Sequence, residues 1–226
     1  MAEKTLKTKT RWGMAIDLKR CIGCMACVMT CKLENFTPPG IFWNKLYDYE
    51  IGEYPSVTRR FLTVPCMHCE KPSCVEVCPT GASIQREDGI VYVDYSKCIG
   101  CGYCVVACPY KARTQYKEEK SYYAEPTLRD KFPYELRAEY QRFKVGTTTK
   151  CTFCMDRINN GMSMGLKPGL DPEATPICVI NCPTVARTFG DLDEPGSEVS
   201  RLIRERKGYR LLEELGTEPS VWYLPA

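Results

Sequence analysis

The chain is poor in the residues that most often carry catalysis: among 226 residues there is one histidine, His68. It shows no Ser/His/Asp set, no glycine-rich phosphate loop and no dinucleotide fingerprint, so no catalytic constellation is visible. Long apolar runs are missing as well. The longest are a few residues, such as Val105-Val106-Ala107, so no direct membrane span is expected. The segment Met1 to Thr10 is polar and carries Lys4, Lys7 and Lys9, and neither an apolar signal segment nor a twin-arginine pair accompanies it. A soluble, non-catalytic chain is expected, exported, if at all, in the company of another protein.

What is abundant is cysteine. Sixteen of the 226 residues are Cys, a density that signals disulfides or metal. They also swell the 44% hydrophobic content, so the ordinary apolar core is thin and folding is expected to depend on cross-links. The formal net charge is +3 with thiols neutral. A cluster held by four thiolates contributes about −2, so four would bring the loaded chain to about −5. Nothing in that balance points to nucleic acid as a partner.

The cysteines fall in four groups of four, with none left over. Cys21, Cys24, Cys27 and Cys31 are spaced C-x2-C-x2-C-x3-C. Cys66, Cys69, Cys74 and Cys78 are spaced C-x2-C-x4-C-x3-C before Pro79, and Cys98, Cys101, Cys104 and Cys108 repeat the first spacing before Pro109. In Cys151, Cys154, Cys178 and Cys182, 23 residues separate the second and third members, and Pro183 follows. Short strand signals flank them: Met14 to Ile16, Ser83 to Gln85 and Ile90 to Val93, with Arg86 to Gly89 reading as a hairpin turn. Ser197 to Lys207 reads as a short amphipathic surface helix capped by Ser197 and stopped by Gly208.

A C-x2-C-x2-C run forms a tight loop whose three sulfurs converge on one cubane. In two-cluster ferredoxins the fourth Cys of such a run ligates the other cluster, and the following Pro fixes the direction in which the chain leaves. Under that rule Cys21, Cys24, Cys27 and Cys182 make one site, and Cys31, Cys151, Cys154 and Cys178 a second. Cys66, Cys69, Cys74 and Cys108 make a third, and Cys78, Cys98, Cys101 and Cys104 a fourth. The expected fold is α+β: two ferredoxin-like units, one inserted in the other, with long irregular loops. Residues 61–116 form the inner unit, 1–60 plus 145–226 the outer one, and 117–144 an aromatic, charged insertion. Disulfides give no reason for triplets at this spacing. Structural zinc prefers paired knuckles, which the first and third groups fit poorly.

The chain resembles the iron–sulfur subunits of the dimethyl sulfoxide reductase family of molybdenum enzymes. The match rests on Ile16-Asp17 through Cys21-Ile22-Gly23-Cys24, on Pro65-Cys66-Met67-His68-Cys69 and on Cys78-Pro79-Thr80-Gly81-Ala82. Asp88-Gly89-Ile90-Val91, Cys98-Ile99-Gly100-Cys101 and Cys108-Pro109-Tyr110 extend it. Lys150-Cys151-Thr152-Phe153-Cys154 with Arg157, and the tail Leu215 to Tyr223, complete it over almost the whole chain. The resemblance implies four [4Fe–4S] clusters, no organic cofactor, and a large catalytic partner holding molybdenum or tungsten with two pyranopterin guanine dinucleotides. It implies a wire running from the Cys21 site at that partner through the Cys31, Cys66 and Cys98 sites. Beyond that end comes a membrane quinone-binding subunit or another carrier. Some relatives replace a third-group Cys and hold a three-iron cluster; this sequence keeps all four. The resemblance further implies periplasmic localisation by co-export with the catalytic subunit, the alternative being cytoplasmic. A free-standing polyferredoxin is the rival function, and the long Cys-free segments Lys32 to Pro65 and Lys111 to Lys150 argue against it.

Arg20, Lys97 and Lys150 immediately precede three of the groups, where a positive charge favours a reduced cluster and raises its potential; the plainer reading is a solvated side chain. His68 reads as a packed polar residue, or as a donor to a cluster sulfur. Two aromatic segments read as docking faces or as layers covering the clusters. One is Tyr110, Tyr116, Tyr122, Tyr123, Phe132, Tyr134, Tyr140 and Phe143; the other is Trp43, Tyr47, Tyr49 and Tyr54.

Overall fold

The computed structural model of the chain describes residues 10–123, 125 and 133–226. Phe132 and the lysines before Thr10 lie outside the described residues. In chain order the strands are β1 (Trp12–Asp17), β2 (Lys45–Ile51), β3 (Thr58–Val64), β4 (Ser83–Gln85), β5 (Val91–Val93), β6 (Arg113–Gln115), β7 (Thr148–Lys150), β8 (Arg187–Asp191) and β9 (Val221–Leu224). With short helices between them, the class is α+β.

β1 is buried along its whole length. It is the centre of a three-stranded sheet, antiparallel to β8 and parallel to β9, and a strand covered on both sides carries a continuous apolar run rather than an alternation. The register sets Ile16 opposite Arg187, so Cys21 follows one member of the pair at the spacing by which Cys182 precedes the other. β4 and β5 repeat this: Val93 stands opposite Ser83, with Cys98 and Cys78 at the same offsets. Their turn closes as the residues suggest, with Arg86 N–H donating to the Ile90 carbonyl at 2.8 Å and Gly89 at φ +84°. β6 and β7 set Arg113 opposite Lys150, next to Cys151.

The Cys-free stretch after the first group contains a hairpin not expected from the sequence, β2 paired with β3 from Lys45↔Val64 to Ile51↔Thr58. Tyr47, Tyr49 and Ile51 share one face and Asp48 and Glu50 the other, and the connection from Gly52 to Val57 is longer than the tight turns that mark a hairpin. Tyr47, Tyr49 and Tyr54 are exposed on it, whereas Trp43 is buried. In the other aromatic segment Tyr110, Tyr116, Tyr140 and Phe143 are buried, so most of that segment covers the interior.

The helix Glu198–Glu205 begins at Ser197, whose side chain accepts from Ser200 N–H at 3.2 Å. It ends in a Schellman arrangement: Lys207 takes φ +49°, and Gly208 N–H donates to the Ile203 carbonyl at 2.8 Å. The left-handed residue is therefore Lys207; a Cβ at Gly208 would stand 3.3 Å from Ile203 Cγ2 and Leu224 Cδ2, a tight fit. Val199 is fully buried against Ala15 and Leu224, so one face of this helix belongs to the core. The tail binds the two halves of the chain. Ser220 N–H donates to the Met67 carbonyl at 2.8 Å and Tyr223 Oη to the Thr63 carbonyl at 2.9 Å, while β9 lies along β1.

The helices Ala26–Glu34 and Tyr103–Val106 start inside Cys triplets, each after a left-handed residue, Met25 at φ +61° and Gly102 at φ +77°. That reversal wraps the triplet around its centre. Gly100, at φ +68°, also lies against the Gly146 carbonyl, 1.6 Å from where a Cβ would stand. A left-handed L-residue costs about 1–2 kcal/mol, and about 2–4 °C of melting temperature is lost per kcal/mol in a chain of this size. Gly100→Ala is therefore expected to lower the thermal midpoint by more than Gly81→Ala, which has the same backbone demand but open space around it. Equal melting shifts for the two variants would remove the close contact as an explanation.

Candidate metal centres

All sixteen cysteines are free thiols. Cys21, Cys24, Cys27 and Cys182 line one cavity with Thr63 and Arg187. Cys66, Cys69, Cys74 and Cys108 line a second with Tyr110 and Arg113, and Cys78, Cys98, Cys101 and Cys104 a third with Ser83 and Thr148. The three cavities are alike in size, as repeated copies of one group require. Cys31, Cys151, Cys154 and Cys178 gather in a fourth place, each thiol being an electrostatic neighbour of others in the set. Asn35 Nδ2 lies 3.6 Å from Cys31 Sγ and 3.7 Å from Cys154 Sγ there.

Backbone N–H groups are already aimed at the sulfurs. Ala186 N–H points to Cys182 Sγ at 3.2 Å, Ser83 to Cys78 at 3.4 Å, Phe153 to Cys151 at 3.4 Å and Thr148 to Cys98 at 3.5 Å. At Cys78 burial is outweighed by the Ser83 N–H and its neighbours, which hold the thiol below its ordinary value. Three buried polar atoms on the cavity walls have no protein partner: Thr63 Oγ1, Arg113 Nε and Thr148 Oγ1, one to each cavity. Each can donate to an additional acceptor in its cavity, as the sulfides of an iron–sulfur cluster are. Among the described residues no set of three or more His, Cys, Asp or Glu side chains closes on a point that one ion could fill. The thiols surround spaces, an arrangement that fits a polynuclear cluster and not a zinc knuckle.

The basic residues divide sharply. Arg20 and Lys97 are 60% and 57% exposed and pair with Asp17 and Asp94, each at 3.6 Å. Lys150 is fully buried, its Nζ donating to the carbonyls of Val91 and Cys151. Two buried cations carry no signal of their own in the Cys spacing. Arg113 Nη2 lies 3.1 Å from Cys74 Sγ while its Nη1 donates to Ser83 Oγ at 2.8 Å. Arg187 faces Cys178 and Cys27, with Nη2 donating to Asn44 Oδ1 at 3.2 Å. Burial works against both charges, but the neighbouring sulfurs outweigh it and hold each guanidinium above the ordinary arginine value. The findable signal was a repeat: Cys108-Pro109-Tyr110-Lys111-Ala112-Arg113 matches Cys182-Pro183-Thr184-Val185-Ala186-Arg187 at Cys, Pro, Ala and Arg.

His68 is buried, stacked on Phe153 with ring centroids 3.7 Å apart. Its Nδ1 accepts from Val91 N–H at 3.0 Å, which puts the ring proton on Nε2. Burial, then the charges of Lys150 and Arg113, hold its pKa well below the usual imidazole value. It is a neutral packing residue beside Lys150. Arg157 ties the helix Met155–Ser163 to Glu34 at 3.0 Å and to the Thr175 carbonyl at 2.9 Å, so its role is to seat the Cys154 loop.

Comparison with known proteins agrees with this chemistry. Three segments match the 4Fe-4S dicluster domain, over residues 20–82, 57–126 and 97–187. The chain is 42% identical to a subunit of the selenate reductase of Mesobacillus selenatarsenatis, over 95% of this chain and 72% of that protein. It is 40% identical to a putative dimethyl sulfoxide reductase iron-sulfur subunit of Halobacterium salinarum, over 95% of this chain and 79% of the relative. With the menaquinone reductase iron-sulfur cluster-binding subunit of Nitratidesulfovibrio vulgaris it shares 37% identity, over 96% and 89% of the two chains.

The most deeply buried thiols hold their protons. Burial pushes Cys69 and Cys151 up to about 12, with the Cys66 sulfur adding to it in each case, and raises Cys31 well above its usual value. A thiol with a raised pKa keeps its proton at neutral pH, so each ligand must release one on binding iron, and loading strengthens as pH rises. Anaerobic reconstitution is expected to take up more iron at pH 9 than at pH 7 and to release protons throughout. Iron uptake independent of pH would contradict these shifts.

Proposed function

The chain belongs to the iron–sulfur electron-transfer subunits of the dimethyl sulfoxide reductase family of molybdoenzymes, and from that premise we propose that it carries electrons through four [4Fe–4S] clusters. They pass between a molybdenum-containing catalytic subunit and a quinone-linked membrane subunit or another carrier. The observation that carries this reading is the gathering of sixteen thiols into four quartets, each completed by a cysteine from a separate part of the chain. Cys21, Cys24, Cys27 and Cys182 would hold the first cluster, and Cys31, Cys151, Cys154 and Cys178 the second. Cys66, Cys69, Cys74 and Cys108 would hold the third, and Cys78, Cys98, Cys101 and Cys104 the fourth. Residues 61–116 would then be an inner two-cluster unit nested in an outer one of residues 1–60 and 145–226, with 117–144 inserted between them.

Exposure supports the first and fourth sites as the ends of the wire. Cys24 and Cys101 are the exposed cysteines. Ile22 and Met25 stand exposed beside the former, and Ile99 beside the latter. Apolar side chains rimming a redox centre suit a surface that docks a partner. By the family's precedent the Cys21 end meets the catalytic subunit and the Cys98 end the other carrier. The same precedent carries the chain out of the cytoplasm together with its catalytic subunit. When bound, each cluster supplies one-electron chemistry; the chain positions it, shields it and sets the charge around it.

Replacing Cys31 by Ser tests the pairing. It is expected to abolish the cluster of Cys151, Cys154 and Cys178, while the Cys21 triplet keeps its iron, as read by electron paramagnetic resonance and iron content. Loss of the Cys21 cluster instead would defeat the exchange. The subunit role is tested by expressing the chain alone: a stable, brown, monodisperse monomer that exchanges electrons with small carriers and binds no large partner would sink it.

A further inference from the structure

Electron transfer through closely spaced clusters meets a charge problem. Each cluster with four thiolates carries about −2, and adding one electron makes it about −3. Filling one site therefore makes the next harder to fill, unless fixed positive charge lies between them. Four cations are buried among the described residues; Lys32 is tied to the Thr37, Pro38 and Ile41 carbonyls, and each of the other three faces two neighbouring quartets. Arg187 faces Cys27 of the first site and Cys178 of the second. Lys150 Nζ bridges the carbonyl of Cys151, a residue of the second site, and that of Val91, on the wall of the third. Arg113 contacts Cys74 of the third at 3.1 Å and faces Cys104 of the fourth.

All three are held by neutral groups: Asn44 Oδ1 accepts from Arg187, Ser83 Oγ from Arg113, and the Val91 and Cys151 carbonyls from Lys150. Among the described residues none of the three has an ion-pair partner, unlike the exposed Arg20 and Lys97. A buried cation that no protein carboxylate answers is compensated by whatever negative charge occupies the sites beside it. The two arginines occupy equivalent positions, Arg113 after Cys108 and Arg187 after Cys182. In each case the strand that receives the chain from one quartet, β6 or β8, delivers the guanidinium to the gap beyond.

We propose that Arg187, Lys150 and Arg113 are positioning residues for the electron path, one cation to each gap between consecutive clusters, and that each raises the potentials of the two clusters it separates. The inference rests on the four-cluster assignment above. An electron arriving at one site from its neighbour, or from a docked partner, is balanced by a charge already in place, so adjacent clusters can be reduced together.

The test is redox titration of the anaerobically purified full chain, followed by electron paramagnetic resonance, in Arg113→Gln and Arg187→Gln variants. In each variant two of the four potentials are expected to fall, by about tenfold in electron affinity, ~59 mV for one electron. The pair that falls in one variant is the pair that stays in the other. Arg113→Lys and Arg187→Lys restore most of the shift, because charge and not shape is at issue. Ser83→Ala and Asn44→Ala loosen the guanidinium without removing it; they shift the same pairs in the same direction by less, and they decide the matter where a Gln variant loses iron. Four clusters with unchanged potentials in both sets, or all four potentials moving equally, would overturn the inference. Fewer than four clusters in the unaltered chain would instead overturn the assignment on which it rests.

Discussion

Two antiparallel registers hold this molecule's chemistry in place. Ile16 opposite Arg187 and Val93 opposite Ser83 bring Cys182 to the Cys21 triplet and Cys78 to the Cys98 triplet, through offsets that are the same in both sheets. A slip of one residue would turn every side chain of the pair to the other face and withdraw the remote thiol. β1 cannot slip cheaply, because β8 and β9 pair with both of its edges and its side chains are buried. Closing so long a loop costs little more than closing a shorter one, so a remote fourth ligand is affordable once the register is set.

The second demand is electrostatic. Thiols buried as deeply as Cys31 and Cys151 resist ionisation, yet they bind metal as thiolates. The chain answers with donors of fixed geometry: backbone N–H groups of Ser83, Thr148, Phe153 and Ala186, and the guanidinium groups of Arg113 and Arg187. A buried guanidinium keeps its charge, as an imidazole in the same surroundings does not; His68 is neutral there. The cations next to the triplets in sequence, Arg20 and Lys97, turn instead to carboxylates three residues away, because a side chain leaving a tight loop reaches its own turn more easily than the loop's centre.

Legibility followed the range of the interaction that decides each feature. Strands at Met14 to Ile16, Ser83 to Gln85 and Ile90 to Val93, the turn at Arg86 to Gly89 and the Ser197 cap depend on neighbours in the chain, and local pattern announced them. The β2–β3 hairpin was missed although Tyr47, Tyr49 and Ile51 alternate with Asp48 and Glu50, because its connection from Gly52 to Val57 is not one of the tight turns that local pattern signals. The end of the helix was shifted too: Gly208 reads as the stop, but the left-handed turn falls one residue earlier, on Lys207. Tyr110, Tyr116, Tyr140 and Phe143 could have faced solvent or core with equal propensity, and tertiary packing decided for the core.

By itself the sequence determined the type of chemistry and the membership of the family, because cubane ligation is written in spacings of two and three residues that one loop can satisfy. It also supplied the repeated Cys-Pro-x-x-Ala-Arg stretches, although nothing local says where those arginines point. The tertiary structure decided which thiols share a space and which cations lie between the spaces. These are contacts between Cys27 and Arg187 or Cys74 and Arg113, far apart in the chain, and they exist because backbone pairing brings remote strands into register before any side chain can find its partner.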